Sequence, residues 1–395
     1  MKVLIYSHTF APNVGGVETH VMLLATGLIA LSGAEKVDVT VATSTPPNGF
    51  DDSTLPFPVA RHPGLVRIAK LILQSDVVNL AGPAFAPLLL CKLLHKPVVV
   101  EHHGYQAICP NGLLLHEPDK TACPGHFMRG EYRACLNCNS AVVGRSASLK
   151  MLLLTFPRRW LCRFASRNIA MTEHVRRRLG LPRTQVVNLG IPSANIGEAD
   201  KEKGPHSSND RCTTQFAFVG RFVSEKGLPL LVQAAKILDN DGVNFGLMLI
   251  GDGPDRAAIE TQVNQFNLKK RVQFTGFLQG KDLDSAMARV SAVVMPSIWE
   301  ETAGLSAIEH MMRGRPVIVS DIGGLAEVTG DGGLKFSPGD ANALAQCMRR
   351  LVNDPRLLAD LGVRAQGRAH KLFTQARMVE EYRQLFLSLR SKPAA

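Results

Sequence analysis

The chain has no apolar run long enough to cross a membrane. Its longest weakly charged stretch, Val77–Cys91, is interrupted by Asn79, Gly82, Pro83 and Pro87 and falls short of the roughly 18 residues a spanning helix needs. The N-terminus, MKVLIYS, lacks the apolar core and cleavage site of a signal peptide and reads as a first strand. A cytoplasmic protein is expected on both counts, or one peripheral on the inner face of the plasma membrane. No short-period repeat occurs, so a solenoid is not expected. No Asp-x-Asp motif stands at a strand end, so a carboxylate-held catalytic metal is not expected either. There is no aromatic-interleaved RNA motif and no DNA-binding motif, which sets nucleic acid aside as a partner.

Acidic residues are scarce in one place. Between Ala141 and Arg183 there are ten Lys or Arg and a single acid, Glu173. That segment carries +9 of the chain's +11, and a local basic patch implies a local anionic partner or a solvated face. Arg159, Arg163 and Arg167 fall at i, i+4 and i+8, which predicts one shared helical face. Trp160, Leu161 and Phe164 occupy the adjoining face. Such a helix either lies on an anionic membrane or turns its aromatics into the core.

A chain of 395 residues is too long for one compact core, so two domains are expected. Short apolar runs alternate with helix-length segments, the pattern of an α/β protein with parallel sheets and crossover helices. Strands are expected at Val3–Tyr6, Val37–Ala42, Val77–Leu80, Val98–Val100, Asn168–Met171 and Gln185–Asn188. A second series follows at Phe216–Val219, Leu247–Ile250, Val272–Phe274, Ala292–Met295 and Val317–Val319. The polar stretch 193–212 separates the two series and reads as a linker. The expected division is therefore a first domain over 1–192, with a cysteine-containing loop at 105–140, and a second over 213–374. A final amphipathic helix is expected near Gln375–Leu389, within a tail of 375–395.

The most informative segment is 296–325. A buried strand runs into a Pro-Ser turn, an acidic loop and a helix expected to open near Ala303. Glu301 precedes that helix and Glu309 is expected two turns inside it. Free N–H groups at a helix start attract phosphate, and glycine lets backbone approach closely. Thr302, Ala303, Gly304 and Leu305 are thus expected to face a diphosphate, with the two acids holding sugar hydroxyls. The segment from Phe218 to Gly227 supplies complementary charge. A strand ends at Gly220, and Arg221 and Lys226 flank the next helix start. A helix dipole disfavours cations there, so an anionic ligand is the better explanation. Gly15-Gly16 makes a flexible turn between the first strand and an amphipathic helix. Glu101-His102-His103-Gly104 closes another strand, where α/β proteins place ligands.

These motifs resemble, in order, those of the family 4 retaining glycosyltransferases of GT-B fold. The carriers are Pro12-x-x-Gly15-Gly16-x-Glu18, His103-Gly104, Arg221 with Lys226, and the E-x7-E pair Glu301 and Glu309. The sequence departs from the family at Thr302-Ala303, where Pro-Phe is usual. The resemblance implies two facing Rossmann-like domains, with the terminal helix crossing back onto the first. It implies a nucleotide-diphosphate-sugar donor and a glycan or lipid-linked acceptor, with no catalytic cofactor. It makes His103, with His102 as the alternative, an active-site histidine, and Arg221 and Lys226 the diphosphate ligands. Glu301 would then bind the donor sugar and Glu309 the ribose. Gly251 and Gly253 would line the donor cleft, and Thr275-Gly276-Phe277 would form the nucleobase-side turn. Other classes remain open. A glycoside hydrolase would use the two acids but leave the cations unexplained. A nucleotide-sugar epimerase of the same fold or a non-catalytic sugar-nucleotide binder would use the same pocket.

Four of the eight cysteines, Cys109, Cys123, Cys135 and Cys138, fall within thirty residues. Cys135-x2-Cys138 is half of a zinc-binding pattern, and the other two can complete a structural site. The alternative is four incidental thiols. Disulfides are disfavoured in a cytoplasmic setting.

Overall fold

The computed structural model describes residues 1–31, 36–193 and 213–390. The expected linker at 193–212 lies outside the described residues except for Ser193. The chain forms two compact units. One consists of Met1–Pro118, Cys123–Pro192 and Phe373–Ala395; the other consists of Asp119–Ala122 and Ser193–Leu372.

The first unit is built on seven parallel strands: β1 (Lys2–Ser7), β2 (Asp38–Thr43), β3 (Val59–Arg61), β4 (Val77–Leu80), β5 (Val98–His102), β6 (Arg167–Ala170) and β7 (Thr184–Val186). Their order is β3-β2-β1-β4-β5-β6-β7. Helices cover both faces of a parallel sheet, so its central strands are buried on both sides and mostly apolar. Every residue of β4 and β5 is buried accordingly, and β-branched Val98-Val99-Val100 suits such a position.

The helix Gln375–Arg390 completes this unit. Met378, Val379, Tyr382, Leu385 and Phe386 form its buried face. It lies against the helix Gly16–Ala30, where Gln375 Nε2 donates to the Leu23 carbonyl at 2.8 Å.

The second unit has six parallel strands: β8 (Thr214–Val219), β9 (Phe245–Ile250), β10 (Val272–Gly276), β11 (Ala292–Met295), β12 (Val317–Ser320) and β13 (Gly333–Phe336). Their order, β10-β9-β8-β11-β12-β13, is that of a Rossmann sheet. Both edge strands that the sequence reading omits, β3 and β13, are short and only partly buried. They lack the continuous apolar run that marks a central strand.

In both sheets the strand order reverses at the first strand, between β1 and β4 and between β8 and β11. Open α/β sheets bind ligands outside the carboxyl ends of the strands at such a reversal.

Candidate functional site

In the second unit the reversal brings together the two segments that the sequence singles out. After β8 the chain passes Gly220 into Arg221, which is exposed, while Phe222 is fully buried and anchors the loop. Gly251 and Gly253 lie against this loop. A Cβ on Gly251 would meet the Gly220 carbonyl oxygen at 1.9 Å, and one on Gly253 would meet that of Phe222 at 2.3 Å. These two glycines are needed for backbone-to-backbone approach, whatever they do toward a donor.

Lys226 ends a single 3-10 turn, Ser224–Lys226, and stands directly before Gly227, the N-cap of the helix Leu228–Asn240. Its ammonium lies 2.9 Å from Glu301 Oε1, and Ser297 Oγ donates to the same oxygen. Lys226 is therefore not an isolated cation: it also fixes Glu301. Backbone bonds clamp the surroundings. Ile298 N donates to the Glu225 carbonyl at 3.0 Å, and Gly324 N donates to that of Glu301 at 2.6 Å.

The following helix runs Leu305–Met312, with Gly304 as its left-handed cap at φ 84°. It opens two residues later than expected, because Thr302 and buried Ala303 belong to the preceding loop. Glu309 is therefore about one turn in, not two. It stands four residues after Leu305, on the same face. Burial pushes its carboxyl above the usual range, opposed by Arg313. Ser306 Oγ donates to the Val219 carbonyl at 3.3 Å, which holds the helix start against the end of β8. Ala307 N and Ile308 N pair with the Gly304 carbonyl at 3.0 and 3.3 Å, while the N–H groups of Leu305 and Ser306 precede the helical ladder. Phe277, just past β10, is 61% exposed.

In the first unit His103 belongs to a buried polar network. Glu101, with no exposure, accepts from His103 Nε2 at 2.8 Å, His20 Nε2 at 3.2 Å and Asn79 Nδ2 at 3.0 Å. Burial alone would raise the Glu101 carboxyl. Attraction to His20 and hydrogen bonds from His103 and His20 instead hold it well below the usual range. Burial lowers the His103 pKa, opposed by the hydrogen bond to Glu101. The rings of His20 and His103 are 4.7 Å apart, and that of Tyr382 lies 5.9 Å from His20, tilted by 56°.

His20 sits on the helix that begins at Gly16, so the double glycine and the histidine strand meet through it. His102, the alternative, faces the interior. It contacts Asn168 Oδ1 at 3.0 Å, and burial pushes its pKa down to about 4. Sequence reasoning missed His20, Glu101 and Ser297. The one available signal, for Glu101, was an acid directly after the apolar run Val98–Val100.

The basic segment differs from expectation. Its helix, Arg145–Cys162, ends before Arg163, and Arg167 opens β6. Arg159, Arg163 and Arg167 therefore share no helical face. Arg159 donates to the Leu179 carbonyl and Arg183 to that of Arg163. Neither aromatic turns inward: Trp160 and Phe164 are half exposed, with Lys92 Nζ 4.0 and 3.3 Å from their ring centres. Only Leu161 enters the core. Leu149, Leu153, Phe156 and Trp160 are also exposed, and their i, i+4, i+7, i+11 spacing makes an apolar stripe. No described helix is long and apolar enough to cross a membrane.

The cysteines are not all in a loop: Cys135 and Cys138 are on the helix Tyr132–Val143.

Comparison with known proteins accords with the two-unit architecture. Residues 14–193 match the family described as Glycosyltransferase Family 4, and residues 199–368 match Glycosyl transferases group 1. The chain belongs to this family of GT-B glycosyltransferases. It is similar to the 2-deoxystreptamine glucosyltransferase of Streptomyces kanamyceticus, 31% identical over 58% of this chain and 64% of that protein. It is also similar to the D-rhamnosyltransferase WbpZ of Pseudomonas aeruginosa, 28% identical over 63% of this chain and 66% of that one. These matches span about two thirds of each relative's own length. Among solved structures, Anabaena HepE in complex with UDP superposes with a TM-score of 0.73. It is 18% identical, and the superposition covers 98% of this chain and 100% of that one.

Proposed function

We propose that the protein is a retaining glycosyltransferase that moves a sugar from a nucleoside-diphosphate sugar to an acceptor hydroxyl. The observation that carries this reading is the cluster at the β8–β11 reversal: Arg221, the Lys226–Glu301 pair and the helix start at Gly304. A departing diphosphate needs fixed positive charge and oriented N–H groups, and a donor sugar needs a pre-positioned acceptor group. Lys226 holds Glu301 and retains hydrogens for phosphate oxygens. Glu301 Oε2 receives sugar hydroxyls, Glu309 receives the ribose, and exposed Phe277 offers a stacking face for the base. Two relatives named as glucosyl- and rhamnosyltransferase, and structural neighbours solved with UDP and UDP-glucose, support a nucleotide-sugar donor.

In the transfer the bond from the anomeric carbon to the phosphate oxygen breaks while the acceptor oxygen attacks from the same side. The acceptor proton passes to a diphosphate oxygen. Arg221, Lys226 and the helix N–H groups stabilise the charge that develops. His103, held by Glu101, serves the acceptor side in the first unit. The exposed apolar stripe beside the basic segment favours an acceptor presented at an anionic lipid surface.

Lys226→Ala and Arg221→Ala should each lower turnover by roughly 10²-fold or more, the size expected for one lost charge-stabilising contact. Wild-type turnover in either folded variant would remove that residue from the mechanism. Thermal shifts with UDP-, GDP- and ADP-sugars identify the donor, because a ligand of the native state raises its melting temperature. Isomerisation of a donor incubated without acceptor would favour an epimerase instead.

A further inference from the structure

We infer that Cys109, Cys123, Cys135 and Cys138 form a four-thiolate site for a structural zinc ion. All four lie outside any disulfide and are buried, 7, 7, 6 and 5% exposed. The three segments that carry them converge on Leu114 and Leu115, five and six residues after Cys109: Cys123 N donates to the Leu114 carbonyl at 2.6 Å, and Cys138 Sγ lies 3.5 Å from that of Leu115. Backbone amides point at two of these sulfurs, and two of the thiols also donate: Cys109 Sγ to Asn111 Oδ1 at 2.9 Å and Cys138 Sγ to the Leu115 carbonyl. Gly125 N donates to Cys123 Sγ at 3.4 Å, and Glu117 N donates to Cys138 Sγ at 3.3 Å.

Two of the four open a Cys-Pro turn, Cys109-Pro110 and Cys123-Pro124, that folds later residues back toward the sulfur. The other two are a Cys-x2-Cys pair on the helix Tyr132–Val143, one turn apart and so on one face. Amides directed at cysteine sulfurs are the outer contacts that orient the ligands of a metal–thiolate site. Four sulfurs leave no open coordination position, which marks the metal as structural.

The surrounding chain has need of such a tie. Between β5 and the helix at Tyr132 the only regular structure is two strands of two residues each. The satellite core beside it comprises only Phe127, Cys135 and Leu152. Among the described residues no three of the sulfurs lie within 4.8 Å of one another. Binding therefore draws the side chains in to zinc–sulfur bonds of about 2.3 Å. Each thiol releases its proton to solvent as its bond to zinc forms.

The test uses the full chain without a histidine tag and is independent of glycosyl transfer. Metal analysis should find about one zinc per chain. Replacement by Co²⁺ should give the sulfur-to-cobalt charge-transfer band of a tetrathiolate. Chelation should lower the melting temperature and open 105–140 to protease. Cys135→Ser should lose the metal, but the wild-type measurements decide the matter even if that variant fails to fold. Four reactive thiols in a folded protein that takes up neither Zn²⁺ nor Co²⁺ would overturn the site. So would disulfides among these cysteines, or iron with sulfide in place of zinc.

Discussion

Glu101 is a carboxylate with no exposure, which is costly unless every oxygen is paired. Two histidines and Asn79 supply the pairing. Glu101→Gln keeps the shape and removes the charge that orients His103. We predict a fall in kcat of roughly tenfold or more, the scale of a disturbed acid–base group, with the donor KM little changed because Glu101 lies in the other unit. Kinetics on a variant with native circular dichroism check this. Unchanged kcat would leave the network a purely structural one.

Gly227 is a second test at this scale. Its φ is +69°, and a Cβ there would meet the Pro296 carbonyl oxygen at 2.0 Å. Gly227→Ala should therefore destabilise by more than about 1 kcal/mol. It should also disturb Lys226 next to it. The urea midpoint and donor affinity should fall together, and a neutral midpoint would mean the loop relaxes freely.

The helix Arg145–Cys162 is the element whose surface is least like that of a solvated helix. Its exposed stripe of Leu149, Leu153, Phe156 and Trp160 stands beside Arg145, Lys150 and Arg163, within the +9 segment. Apolar area and basic charge act together on an anionic bilayer, with each cation near the surface worth up to about 1 kcal/mol. The protein should co-sediment with anionic vesicles at low salt, and screening should weaken the binding as salt rises. Leu153→Glu with Trp160→Glu should reduce binding while donor affinity is unchanged, since neither residue belongs to the second unit. Wild type that stays in the supernatant at low salt would discard the lipid surface. A soluble anionic acceptor would then account for the charge.

At the scale of the whole molecule, buried histidines set the response to acid. Burial pushes His102 down to about 4 and His310 down to about 3, from an ordinary 6.5. Both nitrogens of His310 are buried without a hydrogen-bond partner among the described residues, near Arg313 and Arg315. Below pH 6.5 the unfolded chain binds protons that the folded chain refuses. The stability contributed by keeping these rings neutral is full above 6.5 and is lost as pH falls toward the folded pKa values. Each ring contributes a slope of about 1.4 kcal/mol per pH unit within its window. One histidine lies in each unit, so both units should weaken. Denaturant midpoints at about pH 7 and about pH 5 measure the loss, and His310→Leu should diminish it for the second unit. Equal midpoints in the wild type would show that the rings are not held neutral by burial.

The sequence by itself determined the two α/β units, the central strands, the glycine turns and the Glu301–Glu309 segment. Each is a local signal: continuous apolar runs mark buried parallel strands, and glycines and charges at fixed offsets mark strand ends and helix starts. It missed β3 and β13, since half-buried edge strands carry no such run. It also placed Arg159, Arg163 and Arg167 on one face, because spacing alone does not reveal that the helix stops at Cys162. Only the tertiary structure decided which side chains meet. The Lys226–Glu301 pair spans 75 positions and the His20–Glu101 contact 81. Such pairings follow from strand order and crossover, which bring distant strand ends to one edge of a sheet, and no local pattern of residues records them.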